Sequence, residues 1–111
     1  MKMKLILAIV QDQDRQILAE ALQEAELRPT QLKSTGSFLR AGNTTFLIGV
    51  EENQVESTLK IIEENCKARE QYFASPMGYD MNFELSTAFP VEVEVGGAVC
   101  FVLPVDSYHR F

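Results

Sequence analysis

An α+β fold is predicted by three features of this sequence. Apolar runs of strand length lie near both ends of the chain, Lys4 to Val10 and Ala98 to Leu103. Two stretches carry apolar residues at helical spacing, Ile17 to Ala25 and Val55 to Cys66. Between them stand two strand-like segments, Arg28 to Ser34 and Thr44 to Val50, joined by a glycine-containing turn. The resulting order is strand, helix, strand, strand, helix, strand, with a final strand appended. That is the split βαβ arrangement of a ferredoxin-like (βαββαβ) antiparallel sheet with two helices on one face.

Each element has a local reason. Lys4 to Val10 is continuously apolar and rich in branched residues, and it stops at Gln11-Asp12-Gln13-Asp14, as a buried central strand does. Asp12 or Asp14 can cap the following helix and place acid at its positive end. Ile17, Leu18, Ala21, Leu22 and Ala25 form that helix's apolar stripe, and Pro29 is expected to close it. The second helix begins near Asn53, with Val55, Leu59, Ile62 and Cys66 as its stripe and Glu51 and Glu52 at its positive end. The stretch from Gln71 to Phe89 breaks every period. It holds Pro76, Gly78, Asn82 and scattered aromatics, so a long irregular loop at about 71–89 is expected. Pro90 to Val95 then alternates strictly, Gly96-Gly97 signals a two-residue turn, and Ala98 to Leu103 is the return strand, stopped by Pro104.

Composition narrows the classes of function. A chain of 111 residues with 46% hydrophobic residues is one domain, 1–111, with enough apolar surface for a core. A net charge of −6 argues against non-specific binding to nucleic acid or to an anionic membrane. It leaves room for a small anionic ligand held by a few arginines. The first apolar run is too short for a signal peptide's core or for a membrane span, so no membrane insertion and a cytoplasmic location are expected. The cysteines, Cys66 and Cys100, form no Cys-x-x-Cys pair and read as small apolar core residues.

Catalysis finds little support. His109 stands alone beside the C-terminus, and no Cys/His cluster has zinc spacing. Glu92 and Glu94 point the same way from a strand and could resemble a metal or acid–base pair; a solvated strand face is the simpler reading. There is no phosphate-binding glycine motif, and Cys100 lies inside an apolar strand. The chain reads as a binding protein with no cofactor or metal, and not an enzyme.

The stretch most suited to binding is the central turn, Ser34 to Phe46. Gly36, Gly42 and Asn43 reach positive φ cheaply, yet the tip carries Phe38, Leu39 and Arg40 where hairpin tips are usually small and polar. An aromatic, a leucine and a cation together suit a flat, anionic, partly apolar ligand or a subunit interface; Phe38 and Leu39 folding back onto the chain's own core is the alternative. Arg28 and Thr30 share a strand face, Asn43 offers donor and acceptor to a base edge, and the glycines let backbone N–H groups approach a phosphate.

The start Met3-Lys4-Leu5-Ile6-Leu7-Ala8-Ile9-Val10-Gln11-Asp12-Gln13-Asp14, the run Ser34-Thr35-Gly36-Ser37-Phe38-Leu39-Arg40-Ala41-Gly42-Asn43-Thr44-Thr45-Phe46 and the end Val91 to Asp106 together resemble the PII-like cyclic-di-AMP receptor family. The resemblance covers nearly the whole chain outside Gln71 to Phe89. It implies a ferredoxin-like, PII-like homotrimer with one cyclic-di-AMP in each cleft between subunits. It also implies a non-catalytic signalling role in which the ligand orders loops that meet a downstream protein. Carried over by position, Arg28 and Thr30 would contact an adenine or its phosphodiester, and Phe38 and Leu39 would pack on a base. Asn43 and the backbone at Gly36 and Gly49 would add polar contacts, and Arg40 matches the family's run. Four positions depart from the family's pattern. Ser37 replaces a second glycine, Pro29 a small residue and Glu26 an asparagine that touches ligand. Arg110 stands where glutamine is usual and could gain a phosphate contact or lose a base contact.

Three other functions fit parts of the pattern. A PII-type sensor of ATP or ADP would carry a long loop between its second and third strands, whereas here that connection is short. A trimeric ferredoxin-like module without a nucleotide would use the Phe38-Leu39 tip as interface only. A metal-dependent enzyme would need Glu92 and Glu94.

Overall fold

The computed structural model describes residues 2–34, 42–73 and 91–111. Its strands and helices run β1 (Met3–Gln11), α1 (Arg15–Glu24), β2 (Thr30–Ser34), β3 (Asn43–Glu51), α2 (Val55–Cys66), β4 (Arg69–Phe73), β5 (Val91–Val95) and β6 (Ala98–Pro104). Four strands form an antiparallel sheet in the order β2-β3-β1-β6, and β4 and β5 pair as a separate two-stranded ribbon. The α+β, ferredoxin-like class is thus present.

The pleat of the sheet sorts its side chains. Ile6, Ala8 and Val10 of β1 and Phe46, Ile48 and Val50 of β3 turn to one side and are buried against Leu18 and Leu22 of α1 and Ile62 and Cys66 of α2. Alternation puts Leu5, Leu7, Leu47 and Gly49 on the other side. Register sets Leu103 opposite Leu5 and Phe101 opposite Leu7, so β6 adds its apolar residues to that second face. No element of the described chain covers it, and Phe101, Leu103 and Leu32 each remain 41–48% exposed.

Several local expectations are corrected by tertiary partners. Asp12 and Asp14 do not cap α1: a short 3₁₀ turn, Asp12–Asp14, leads into the helix, and no side-chain cap bond forms. Asp12 instead accepts a hydrogen bond from the Thr44 hydroxyl at 2.6 Å, and Asp14 pairs with Arg69. Pro29 does not end α1 either. The helix stops at Glu24, and Glu26 takes φ +62°. The Glu26 N–H then donates to the Gln23 carbonyl and the Leu27 N–H to that of Leu22, both at 2.9 Å. This is a Schellman closure with Leu27 packed on the core. Ile17, assigned to the apolar stripe, is 52% exposed. The second helix follows expectation more closely: Gln54 Oε1 accepts from the Glu51 N–H at 2.9 Å in a capping box.

The largest correction concerns the last third of the chain. Residues 71–73, expected within the irregular loop, belong to β4; the remainder of that loop, 74–89, lies outside the described residues. Val91–Val95 does not join the main sheet, and Gly96-Gly97 does not make a hairpin. β5 pairs with β4, β6 pairs with β1, and the two glycines carry the chain from ribbon to sheet. Their φ values are +83° and +108°. The junction is held by three contacts. The Gly96 N–H donates to Gln11 Oε1 at 2.6 Å, and the Gly97 N–H donates to the Cys66 carbonyl. Arg69 grips Asp14 with both guanidinium nitrogens, at 2.8 and 3.4 Å. Asp14 is 1% exposed, so this ion pair answers a buried charge, and the hydrogen bond Arg69 donates to Asp14 holds the arginine's pKa above its ordinary value.

A Cβ on Gly96 would stand 2.5 Å from Arg69 Nη1 and 2.7 Å from the Lys67 carbonyl, on a backbone that L side chains rarely adopt. Gly96→Ala is expected to destabilise the fold by about 2–4 kcal/mol, from the strained φ together with the overpacking. A urea titration checks this: the midpoint should fall without a change in slope, and an unchanged midpoint would contradict it.

Candidate functional site

The open sheet face ends in a groove of about 660 Å³. Its floor comes from Met3 and Leu5 of β1 and from Leu47 and Gly49 of β3, so it is apolar and, at Gly49, flat. Its rim is polar: Glu26, Arg28, Thr30, Gln54 and Tyr108. A flat apolar floor under a rim of donors and acceptors is the arrangement that holds a heteroaromatic ring and fixes its orientation.

The groove exists because four separate parts of the chain arrive at one end of the sheet. The Schellman closure of α1 sets down Glu26 and Leu27, and the chain then runs extended through Arg28 to Thr30. Thr30 lies opposite Leu47, and Gly49 opposite Leu5. Gln54 is delivered by the turn before α2, and the tail beyond β6 brings Val105 and Tyr108; the Val105 N–H donates to the Met3 carbonyl at 3.2 Å.

Three residues singled out in the sequence therefore meet: Arg28, Thr30 and Gly49. Arg28 is exposed and, among the described residues, in no ion pair, so its planar fork is free to face an anion. Among the described residues, a Cβ on Gly49 would touch only the Met3 methyl, at 3.9 Å, so their packing does not require glycine there. The missing side chain leaves the groove open at that point.

The other candidates do not join them. Asn43 is 1% exposed, turned into the protein between Gln11 and Ser34. It lies six residues from Gly49 along β3, about 20 Å at the usual strand rise. Gly36, Phe38, Leu39 and Arg40 lie outside the described residues. Arg110 is exposed on the tail and does not line the groove. The same site contains residues that pattern reading passed over: Met3, Leu5, Leu47, Gln54, Val105 and Tyr108. One signal pointed to them. The run Lys4 to Val10 is apolar on both faces, so the face away from the helices has something to cover it.

At the Asn43 end of the sheet, Asp12 and Thr44 tie β1 to β3, and the Asp12 N–H donates to the Gly42 carbonyl at 2.9 Å. A shallow cavity of about 400 Å³ lies there between Arg15, Gln31 and Lys33. Cys66 is buried and its thiol is pushed up to about 12, chiefly by that burial and then by Asp14, so it is held as a neutral thiol at neutral pH. Cys100 is raised by burial as well. Glu94 is exposed on the ribbon, opposite Glu70. Among the described residues, no group of three or more His, Cys, Asp or Glu could hold a metal ion, and no helix is long and apolar enough to cross a membrane.

Known proteins share this architecture. A crystal structure of a functionally unknown protein from Pediococcus pentosaceus superposes with a TM-score of 0.82 at 41% identity, covering 100% of this chain and 99% of that one. The citrate-bound crystal structure of PII from Arabidopsis thaliana superposes with a TM-score of 0.60 at 21% identity, over 98% of this chain and 80% of that one, and it shows the fold alone. The family described as cyclic-di-AMP receptor matches residues 3–111. The chain belongs to the cyclic-di-AMP receptor family and has a PII-like fold.

Proposed function

We propose that the chain is a cytoplasmic, non-catalytic signalling receptor that binds cyclic-di-AMP in clefts between the subunits of a homotrimer. The observation that carries this reading is the groove, with Arg28 and Thr30 above an apolar floor ending at Gly49, on the border of a sheet face that no described element covers. One adenine lies on Leu5, Leu47 and Gly49, and Arg28 faces a phosphodiester.

The division of the candidate residues supports a cleft made from two chains. Arg28, Thr30 and Gly49 lie toward one end of β3, and Asn43 stands at the other, next in sequence to the stretch that carries Gly36, Phe38, Leu39 and Arg40. A second copy set against the open face brings its own turn, with Phe38, Leu39 and Arg40, to the first copy's groove. The same apposition covers Leu32, Phe101 and Leu103. Exposed apolar residues of that size on one contiguous face are what an interface buries. In the assembled cleft, Gly36 and Asn43 of the neighbouring copy supply backbone and amide contacts, and Arg110 of the tail reaches a phosphate. Ligand held between subunits orders the surrounding loops, which present the signal to a downstream protein.

Calorimetric titration with cyclic-di-AMP, with ATP and cyclic-di-GMP as controls, tests the function, and light scattering on the same sample tests the trimer. One ligand per chain is expected, on a particle of three chains. Arg28→Ala should bind at least about tenfold more weakly, the worth of a charge-assisted hydrogen bond. No heat with cyclic-di-AMP would end this reading.

Gly49→Val separates site from scaffold. A branched residue suits the strand, and among the described residues its Cβ meets only the Met3 methyl, at an ordinary contact distance. The variant is expected to melt at or above the wild-type temperature while losing cyclic-di-AMP, because the added methyls occupy the floor. Binding at wild-type strength would place the ligand elsewhere.

A further inference from the structure

Glu26 is the one non-glycine residue with positive φ among the described residues, and it stands on the rim of the groove. A glutamate in the left-handed region is unfavourable, since its Cβ crowds the carbonyl; glycine or asparagine is the usual occupant of this helix-closing position. The closure holds it there from both sides, through the bonds from its own N–H to Gln23 and from Leu27 to Leu22. Its carboxylate is exposed and, among the described residues, in no ion pair. Among the described residues of one chain, Arg28, two residues on, is the only cation lining the groove, so each chain's own described lining carries one acid and one base. A site for anions that carries an acid of its own has a specific electrostatic character. The acid offsets the attraction of Arg28 and of any further cation in the cleft, and the repulsion it adds grows with the charge of the ligand.

We infer that Glu26 is a specificity-determining residue which keeps highly charged nucleotides out of the groove. The inference rests on the cyclic-di-AMP reading above. A cyclic dinucleotide spreads one charge over each of two phosphodiesters and presents mostly ring and sugar to the apolar floor. A nucleoside triphosphate carries about twice that charge, and carries it on one chain of phosphates. At about 8 Å in a water-like dielectric, each ligand charge repelled by Glu26 weakens binding by about two- to threefold. The penalty on ATP then exceeds that on cyclic-di-AMP by about fivefold. Screening by salt acts on this term and not on the packing of the base.

The test is calorimetric titration of wild type, Glu26→Gln and Glu26→Gly with cyclic-di-AMP and with ATP, each at low and at high salt. Glutamine keeps the side chain's length and its backbone strain, so its melting temperature should match wild type. Glycine also relieves the strain and should melt higher. Both variants are expected to gain ATP affinity about fivefold more than cyclic-di-AMP affinity, with the gain shrinking at high salt. Equal gains for the two ligands, no gain, or a gain insensitive to salt overturns the inference while leaving the receptor reading intact if wild type binds cyclic-di-AMP. If neither wild type nor Glu26→Gln binds cyclic-di-AMP, both fall together. A gain in Glu26→Gly alone, accompanied by a higher melting temperature, assigns the effect to backbone strain and also overturns it.

Discussion

The architecture depends on a central strand that is apolar on both faces. The helix-facing residues of β1, Ile6, Ala8 and Val10, are fully buried, while Leu5 and Leu7 on the opposite face are covered only in part. Each large aliphatic side chain withdrawn from water is worth about 1.5–3 kcal/mol. Two helices suffice to cover one face of a four-stranded sheet, and a chain of 111 residues has no third layer to spare among its described elements. The second face therefore ends in exposed Phe101 and Leu103, and the groove forms on its border. The proposed trimer and the proposed ligand site are two consequences of that one unmet demand.

The segment Gln11 to Asp14 ties the sheet to everything beyond it. Gln11 receives the Gly96 N–H, Asp12 receives the Thr44 hydroxyl, and Asp14 receives both nitrogens of Arg69. Breaking a buried ion pair by removing one partner costs more than the pair contributes, because a charge is left without an answer. That asymmetry makes Asp14 and Arg69 a point of registration between the ribbon and the helical layer. It also explains why Gly96 has no room for a side chain: the arginine that neutralises Asp14 passes directly over it.

The groove joins residues from Met3 to Tyr108, nearly the full span of the chain. No short motif could have announced it. Its chemistry is a compromise between a floor that favours a flat ring and a rim whose acid and base balance one another. At the proposed site, a cyclic dinucleotide would owe more of its affinity to ring burial than to the charges this chain itself supplies.

The sequence by itself determined the elements whose pattern is local. A continuous apolar run marked β1, period-two alternation β3 and period-3.6 spacing α1 and α2, and the run around Gly36 to Asn43, with both chain ends, carried the family resemblance. The sequence also marked Arg28 and Thr30, because a strand's alternation decides which residues share a face, and the family resemblance added Gly49. Tertiary structure alone decided which strands pair and which partners the polar residues choose. Gln11 meets Gly96 across 85 residues, and Asp14 meets Arg69 across 55, separations that no local window spans. For that reason β5 left the sheet and the two aspartates gave up their capping role: a distant partner offered more than the local preference, and local preferences of about 1 kcal/mol yield to such contacts. The end of α1 at Glu24 is a local matter, a Schellman closure through Glu26 that stops the helix before Pro29 is reached.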